Sequence, residues 1–141
     1  MHPLFGPIAI SIWMAMVLLA AVLARRRWPE KRETSRKIVH IGTGAVIPLA
    51  WVFQMPWLVA VPFAAMVTAI TAINHQWRII PAVEDVDRSS FGTVAYGVAI
   101  TILLLLFWPI RTDAVTAGVL VMAFGDGLAG LIGRSLKSAQ W

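Results

Sequence analysis

Long apolar runs constrain this chain more than any other feature of its sequence. Five such runs follow one another, and they cover Pro3 to Ala24, Ile38 to Phe53, Trp57 to Ile73, Phe91 to Ile110 and Ala114 to Ile132. A helix needs about 20 mostly apolar residues to cross a bilayer. Hydrophobic residues make up 59% of the 141 residues, above the roughly half that is usual in soluble domains. The sequence therefore predicts one all-α, polytopic membrane domain, residues 1–141, with about five transmembrane helices.

The basic residues indicate how these helices are oriented. Seven of them lie between Arg25 and Lys37, directly after the first apolar run. With the N-terminus outside, eleven of the twelve Lys and Arg residues fall on one side of the membrane and Arg111 on the other. Because basic loops stay in the cytoplasm, we expect an external N-terminus. The net charge of +5 is explained as a topology signal and a binder of anionic groups, so no nucleic acid partner is predicted. The chain has no cysteine, which excludes a thiol nucleophile and a thiolate metal site.

Asp126 is the only acidic residue inside any of the five runs, and it lies in the sequence Gly125-Asp126-Gly127. An ionised carboxylate at membrane depth is costly unless it is paired, hydrated or bound to a metal, so it marks a functional site. We expect the two glycines to loosen the helix and to free backbone N–H groups for a ligand. A carboxylate in that setting suits Mg²⁺ that carries phosphates. The alternative is a salt bridge to a basic residue on another helix that only holds the bundle together.

A basic cluster precedes the second run. Its sequence is E-x-x-R-K-x-x-H, formed by Glu33, Arg36, Lys37 and His40. Residues four apart share a helix face, so Glu33 pairs with Lys37 and Arg36 lies beside His40. Cations at the start of a helix oppose its dipole, which makes a bound anion a good reason for their presence. A basic collar that reaches to the membrane surface is the alternative.

Two further polar stretches fall on the same side of the predicted membrane. They are Asn74, His75 and Arg78 at the end of the third run, and Glu84, Asp85, Asp87 and Arg88, followed by Gly92 and Tyr96. The first is typical of an interfacial polar cap. In the second, the three acids form either a solvated loop or a cation site, and Gly92 permits close approach of a helix or a ligand.

These stretches would meet Asp126 at one end of a helix bundle. Together they offer cations for phosphate, acids for Mg²⁺ or for proton abstraction, and an apolar wall that lipids can reach. Such a site suits phosphate chemistry on a lipid alcohol, because phosphoryl transfer depends mainly on positioning and charge neutralisation. The sequence has no G-x-x-x-x-G-K-[ST] motif, so a P-loop mechanism is not indicated.

Three segments, taken in order, resemble the polyprenol kinase family, which includes dolichol kinase and phytol kinase. They are Glu33 to His40 (E-T-S-R-K-I-V-H), Arg88 to Tyr96 (R-S-S-F-G-T-V-A-Y) and Gly125 to Arg134 (G-D-G-L-A-G-L-I-G-R). The similarity is greatest to bacterial, cyanobacterial-type phytol kinases. It implies a multi-pass protein of a bacterial cytoplasmic or thylakoid membrane. The implied activity is phosphorylation of an isoprenoid alcohol such as phytol at the cytoplasmic face, with CTP or another nucleoside triphosphate as donor and with Mg²⁺.

The resemblance also implies roles for individual residues. Asp126 would bind Mg²⁺ between phosphates, and Gly125 and Gly127 would give access to the backbone. Arg88 would neutralise the transferring charge, and His40 is a candidate general base, as is one of the three acids before Arg88. The remaining residues implied in substrate or nucleotide binding are Arg36, Lys37, Gly92, Tyr96 and Arg134.

Two other functions are compatible with the same residues. One is nucleotidyl transfer onto a lipid phosphate, as in the distantly similar phosphatidate cytidylyltransferases. The other is a non-enzymatic membrane subunit or a transporter fragment, in which Asp126 pairs with a cation. Family members continue past the Gly-Asp-Gly segment with a Lys-Ser-x-x-Gly-type segment and further helices, whereas this sequence stops at Trp141. We therefore expect the N-terminal two thirds of such a protein, with little or no turnover by itself.

Overall fold

The computed structural model describes residues 4–80 and 91–136. All regular secondary structure in these residues is helical: α1 (Phe5–Arg27), α2 (Arg32–Gly44), α3 (Val46–Val52), α4 (Trp57–Trp77), α5 (Gly92–Phe107) and α6 (Thr112–Ser135). By length and composition, α1, α4 and α6 can cross a membrane, and α5 is a shorter apolar helix of 16 residues. The predicted all-α membrane helix bundle is confirmed. Its orientation in the membrane stays a prediction.

The second predicted span is divided into two helices. Helix α2 ends at Gly44, and α3 begins at Val46 after the single residue Ala45. Pro48 explains the division, because proline has no N–H to donate to the carbonyl of Gly44 four residues earlier and its ring clashes with that carbonyl. In α3, Pro48 occupies the first turn, where the missing donor costs nothing. The prediction of one continuous helix over Ile38 to Phe53 was therefore wrong.

The predicted basic loop is also shorter than expected. Helix α1 continues through the three arginines to Arg27, and α2 already begins at Arg32. Basic side chains at the C-terminus of α1 interact favourably with the helix dipole, so the helix has no reason to stop at Ala24. Only residues 28–31 connect the two helices.

Small residues bring α2 and α6 into close contact. Three pairs mark the crossing, in the order Gly44 with Ala123, Ile41 with Gly127, and Lys37 with Gly130. In these pairs the residue number decreases along α2 while it increases along α6, so the two helices are antiparallel. A Cβ atom on either glycine of α6 would collide with the facing side chain. This packing of small residues is typical of helix contacts in membranes.

The Gly-Asp-Gly segment does not loosen α6, and the expectation that it would was wrong. The helix runs without a break through Gly125, Asp126 and Gly127. Gly127 is needed for the contact with Ile41, whereas a Cβ atom on Gly125 would meet nothing within 4 Å. The helix continues because its i to i−4 hydrogen bonds tolerate isolated glycines, each of which costs only about 1 kcal/mol relative to alanine.

A compact apolar core lies between the helices. Ile10, Val119 and Ala123 are fully buried in it, and the Trp108 indole donates a 3.0 Å hydrogen bond to the Met55 carbonyl. Large apolar side chains also cover the outer surface, for example Leu58 on α4 and Val121 on α6. Such outer faces fit a lipid environment, and the arrangement leaves the charged residues of α2 and α6 at one end of the bundle.

Candidate functional site

An ion pair joins α2 to α6 at this end of the bundle. The Lys37 Nζ donates to the Asp126 Oδ2 at 2.7 Å and to the Asp126 backbone carbonyl at 3.2 Å. The Lys37 side chain is 11% exposed and that of Asp126 is 64% exposed. The aliphatic part of Lys37 lies over Gly130, where a Cβ atom would come within 2.7 Å of the lysine Cε. The structure thus places a buried cation against a more accessible carboxylate.

The other charged residues of α2 surround the same lysine. Glu33 Oε1 lies 3.9 Å from the Lys37 Nζ, and Glu33 Oε2 lies 3.9 Å from Arg36 Nη1. The predicted pairing of Glu33 with Lys37 on one helix face is confirmed. At these distances the contacts are electrostatic rather than hydrogen-bonded. Lys37 therefore has two carboxylates within reach, with Asp126 the nearer.

His40 lies one turn further along α2 and completes the cluster. Its Nε2 is 3.5 Å from the Asp126 Oδ2 and is buried without a hydrogen-bond partner. The imidazole ring packs against the Tyr96 ring, with 4.0 Å between centroids, and the Tyr96 hydroxyl donates to the His40 carbonyl at 3.3 Å. A buried polar atom without a partner is costly, so its position next to a cavity is consistent with a ligand that supplies the missing hydrogen bond.

A cavity of about 520 Å³ opens from this cluster into the bundle. Its polar end is lined by Arg36, Lys37, His40, Asn74, Tyr96 and Asp126, and Gly92 also contributes to its wall. The rest of the wall is largely apolar and includes Met14 and Leu18 of α1 and Val67 and Ile70 of α4. Cavities of this size hold drug-sized molecules, and their few polar groups orient the ligand. The shape suits a long apolar molecule with a polar head.

Most of the predicted site residues are brought together here. Arg36, Lys37, His40, Gly92, Tyr96 and Asp126 line the one cavity. Gly125 and Gly127 flank Asp126 in α6, where Gly127 packs against Ile41 and Gly125 makes no such contact. Arg134 lies near the end of α6, but its side chain is outside the described residues, as are Arg88 and the acids at 84, 85 and 87.

Asn74 lines the cavity but is occupied in shaping the chain. Its Oδ1 accepts a 2.6 Å hydrogen bond from the backbone N–H of Ile80, and its Nδ2 donates to the Ile80 carbonyl at 3.2 Å. Arg78 between them has a left-handed backbone, with φ 53° and ψ 41°, which ends α4. These contacts end α4, and the interpretation of Asn74, His75 and Arg78 as an interfacial polar cap stays a prediction.

The residues present fit a magnesium ion that arrives with phosphates. The described residues contain no group of three or more His, Cys, Asp or Glu side chains that could hold a metal by themselves. Mg²⁺ bound to phosphates needs only one or two protein carboxylates. The Asp126 carboxylate is accessible and lines the cavity, so it can supply one oxygen ligand.

The sequence did not predict the uncharged residues that shape the site. Gly130 makes room for the stem of Lys37, and Met14, Thr43 and Thr68 line the cavity. The spacing of Ala123, Gly127 and Gly130 is a signal of helix packing that the sequence contains. No comparable signal marks the cavity wall, because wall and core residues have the same composition.

Comparison with known proteins gives one informative match. The chain is 36% identical over 139 residues to a phytol kinase of Synechocystis sp., an alignment that covers 92% of this chain. The chain is similar to a phytol kinase along nearly its whole length. The predicted resemblance to the polyprenol kinase family is thereby confirmed. No protein-family model matches the chain, and no solved structure matches it.

The chain spans about 60% of the length of that phytol kinase. The similarity therefore covers nearly the whole of this chain, but not the whole of the relative. What the complete relative does is carried to this chain as a proposal.

Proposed function

We propose that this chain forms the alcohol-binding and phosphate-binding part of an isoprenoid alcohol kinase that uses CTP at the cytoplasmic face of a bacterial cytoplasmic or thylakoid membrane. One observation supports it above the others: a cavity with apolar walls has a charged cluster at one end, in a chain similar to a phytol kinase. The apolar wall accommodates the isoprenoid chain. The charged end accommodates the hydroxyl group and the donor phosphates.

Arg36 and Lys37 supply positive charge where the phosphates would lie. Arg36 lines the cavity. Its Nη1 lies 3.9 Å from the Glu33 Oε2, which is too far for a short hydrogen bond, so the guanidinium group can turn towards an anion without breaking one. Lys37 is held at 2.7 Å from Asp126, which fixes its ammonium group at the mouth of the cavity. Fixed cations of this kind stabilise the charge that develops on transferring phosphate oxygens.

His40 is the candidate that accepts the proton of the alcohol. Its Nε2 is buried, has no hydrogen-bond partner and lies beside the cavity. Tyr96 holds the ring by stacking and by its bond to the His40 carbonyl. The alcohol oxygen then attacks the terminal phosphorus of CTP, the bond from that phosphorus to the bridging oxygen breaks, and CDP leaves. His40 takes the hydroxyl proton and passes it to water.

Asp126 would hold the magnesium ion and orient the two cations near it. The ion supplies charge neutralisation between the donor phosphates. Asp126 has an accessible carboxylate for this task, while its contact with Lys37 keeps the ammonium in place. Arg88 is proposed to neutralise the transferring charge, Arg134 to contact the substrate or the nucleotide, and Gly92 to leave room for the substrate.

A purely structural role for Asp126 is the second candidate, and the Lys37–Asp126 ion pair is the observation that favours it. In that case the chain is a non-enzymatic membrane subunit. The Nε2 of His40 favours the kinase, because it is buried beside the cavity and makes no hydrogen bond, although it lies 3.5 Å from the Asp126 Oδ2.

Product analysis tests the proposal. Membranes that contain the full-length gene product are incubated with phytol, Mg²⁺ and CTP labelled in its terminal phosphate. The kinase predicts a labelled lipid monophosphate and unlabelled CDP. Formation of a CDP-lipid with labelled pyrophosphate identifies a nucleotidyl transferase instead, and the absence of any CTP-dependent product supports the structural role.

A further inference from the structure

A second, smaller cavity of about 60 Å³ lies next to the large one within the bundle. Five residues line both cavities, namely Met14, Thr43, Val67, Thr68 and Gly97. We call these five residues the collar. Because they contribute to both walls, the two cavities meet at the collar.

The collar presents an apolar passage even though it contains two threonines. The Thr43 hydroxyl donates to the Val39 carbonyl at 2.7 Å, and the Thr68 hydroxyl donates to the Ala64 carbonyl at 2.8 Å. Both hydroxyl donors are thus satisfied within their own helices. The passage therefore offers little to hold water, and it suits hydrocarbon.

Buried residues form the wall of the small cavity at the end away from the charged cluster. Ala50, Met55, Ala60 and Leu104 line it and are buried, and the Trp108 indole is bonded to the Met55 carbonyl behind them. Ala50 lies thirteen residues after Lys37 along α2 and α3, which corresponds to at most about 20 Å at the helical rise per residue, because the two helices are divided at Ala45. An apolar tail whose head lies at Lys37 would thus extend through the collar and end against this wall.

We propose that the small cavity receives the far end of the isoprenoid tail and selects alcohols by their length. The proposal rests on the proposed function, since it requires the hydroxyl end to lie at the charged cluster. An alcohol long enough to pass the collar gains apolar contacts that a short one cannot make. An alcohol too long for the small cavity must bend or leave its head misplaced.

Ala64 offers a direct test. It lines the small cavity but not the large one, whereas its neighbour Ala65 is exposed on the same helix. Ala64→Leu fills the small cavity, and Ala65→Leu is the matched control. The purified 141-residue chain in detergent is loaded with radiolabelled geranylgeraniol, and unlabelled geraniol, farnesol and geranylgeraniol compete for it.

In the unmodified chain, affinity should rise with the number of isoprene units up to geranylgeraniol. Ala64→Leu should weaken geranylgeraniol binding about tenfold, which is the usual effect of a misfitted apolar group in a pocket. The same variant should bind geraniol with an affinity within about twofold of that of the unmodified chain. Ala65→Leu should behave as the unmodified chain. Leu104→Ala enlarges the small cavity, so it should improve binding of geranylfarnesol, the next longer alcohol, and this variant provides a test even if Ala64→Leu fails to fold.

Equal loss for all three alcohols in Ala64→Leu, or no loss for any, would overturn the inference. So would failure of every alcohol to bind, or displacement of the label by phosphatidylcholine as efficiently as by geranylgeraniol, which would identify the cavity as an acyl-chain site. The binding assay needs no turnover. Length selection without CTP-dependent phosphate transfer would therefore keep this inference and reject the proposed kinase.

Discussion

Replacement of Asp126 by asparagine separates the two roles of this residue. Asp126→Asn keeps the size of the side chain but removes the charge that pairs with Lys37 and that is proposed to bind Mg²⁺. Loss of one partner of a fully buried ion pair costs roughly 3–5 kcal/mol, whereas an exposed pair is worth about 1 kcal/mol or less. Here Lys37 is 11% exposed and Asp126 is 64% exposed, so the pair lies between these limits.

Two contacts of Lys37 survive the substitution and reduce its cost. The backbone carbonyl at position 126 stays at 3.2 Å, and Glu33 stays at 3.9 Å. We expect a loss of about 1–3 kcal/mol in the free energy of unfolding. For a chain of this size that lowers Tm by about 5 °C. The protein should remain folded, while turnover of CTP by the full-length gene product falls by ~10²–10³.

A double substitution decides between the roles. Lys37→Met combined with Asp126→Asn removes the unpaired cation, so Tm should recover towards that of the unmodified protein, and the deviation from additivity measures the coupling. Turnover should stay low if Asp126 and Lys37 act on phosphate. Asp113→Asn is the control, because Asp113 pairs with Arg111 at 3.1 Å in the exposed first turn of α6, and its replacement should change Tm little. Recovery of both Tm and turnover in the double variant would refute the catalytic role.

Three further predictions concern packing, topology and length. Gly127→Leu should separate α2 from α6 and lower the detergent-solubilised yield, because the leucine side chain would collide with Ile41. Gly125→Ala should be neutral or stabilise the helix by up to about 1 kcal/mol. Equal behaviour of the two variants would contradict the packing described. A cysteine introduced at Glu30 of this cysteine-free chain should resist membrane-impermeant maleimide in intact cells, since the basic segment is predicted to be cytoplasmic; labelling from outside would reverse the predicted topology. The purified 141-residue chain should show little or no turnover compared with a protein of the full length of its relative, because it spans about 60% of that relative; full activity of the short chain would be the opposite result.

The apolar runs were sufficient to predict most of the helices, though not the division of the second span, and the end of the bundle where the charges gather. They did not predict which cation meets Asp126. Arg36 and Lys37 are neighbours on a helix and point about 100° apart, so their relative position depends on how α2 is rotated against α6. That rotation is set by the contacts of Ala123, Gly127 and Gly130, which turn Lys37 towards α6.

Two other features also differ from the sequence-based prediction. The division of the second span follows from Pro48, a local rule that the length of the apolar run concealed. The continuity of α6 through the Gly-Asp-Gly segment reflects helix packing, which outweighs the weak helix preference of glycine. The cavity could not be predicted from the sequence, since its wall is composed of the same residue types as the core.

Photo-crosslinking tests the central claim most directly. A geranylgeraniol analogue with a photoreactive diazirine next to its hydroxyl group is bound to the purified chain, and the labelled peptides are identified by mass spectrometry. The account predicts crosslinks to α2 between Arg36 and Thr43 and to α6 around Asp126, and excess phytol should suppress them. Crosslinks that phytol does not suppress, or that lie only on lipid-facing residues such as Leu58 and Val121, would contradict it.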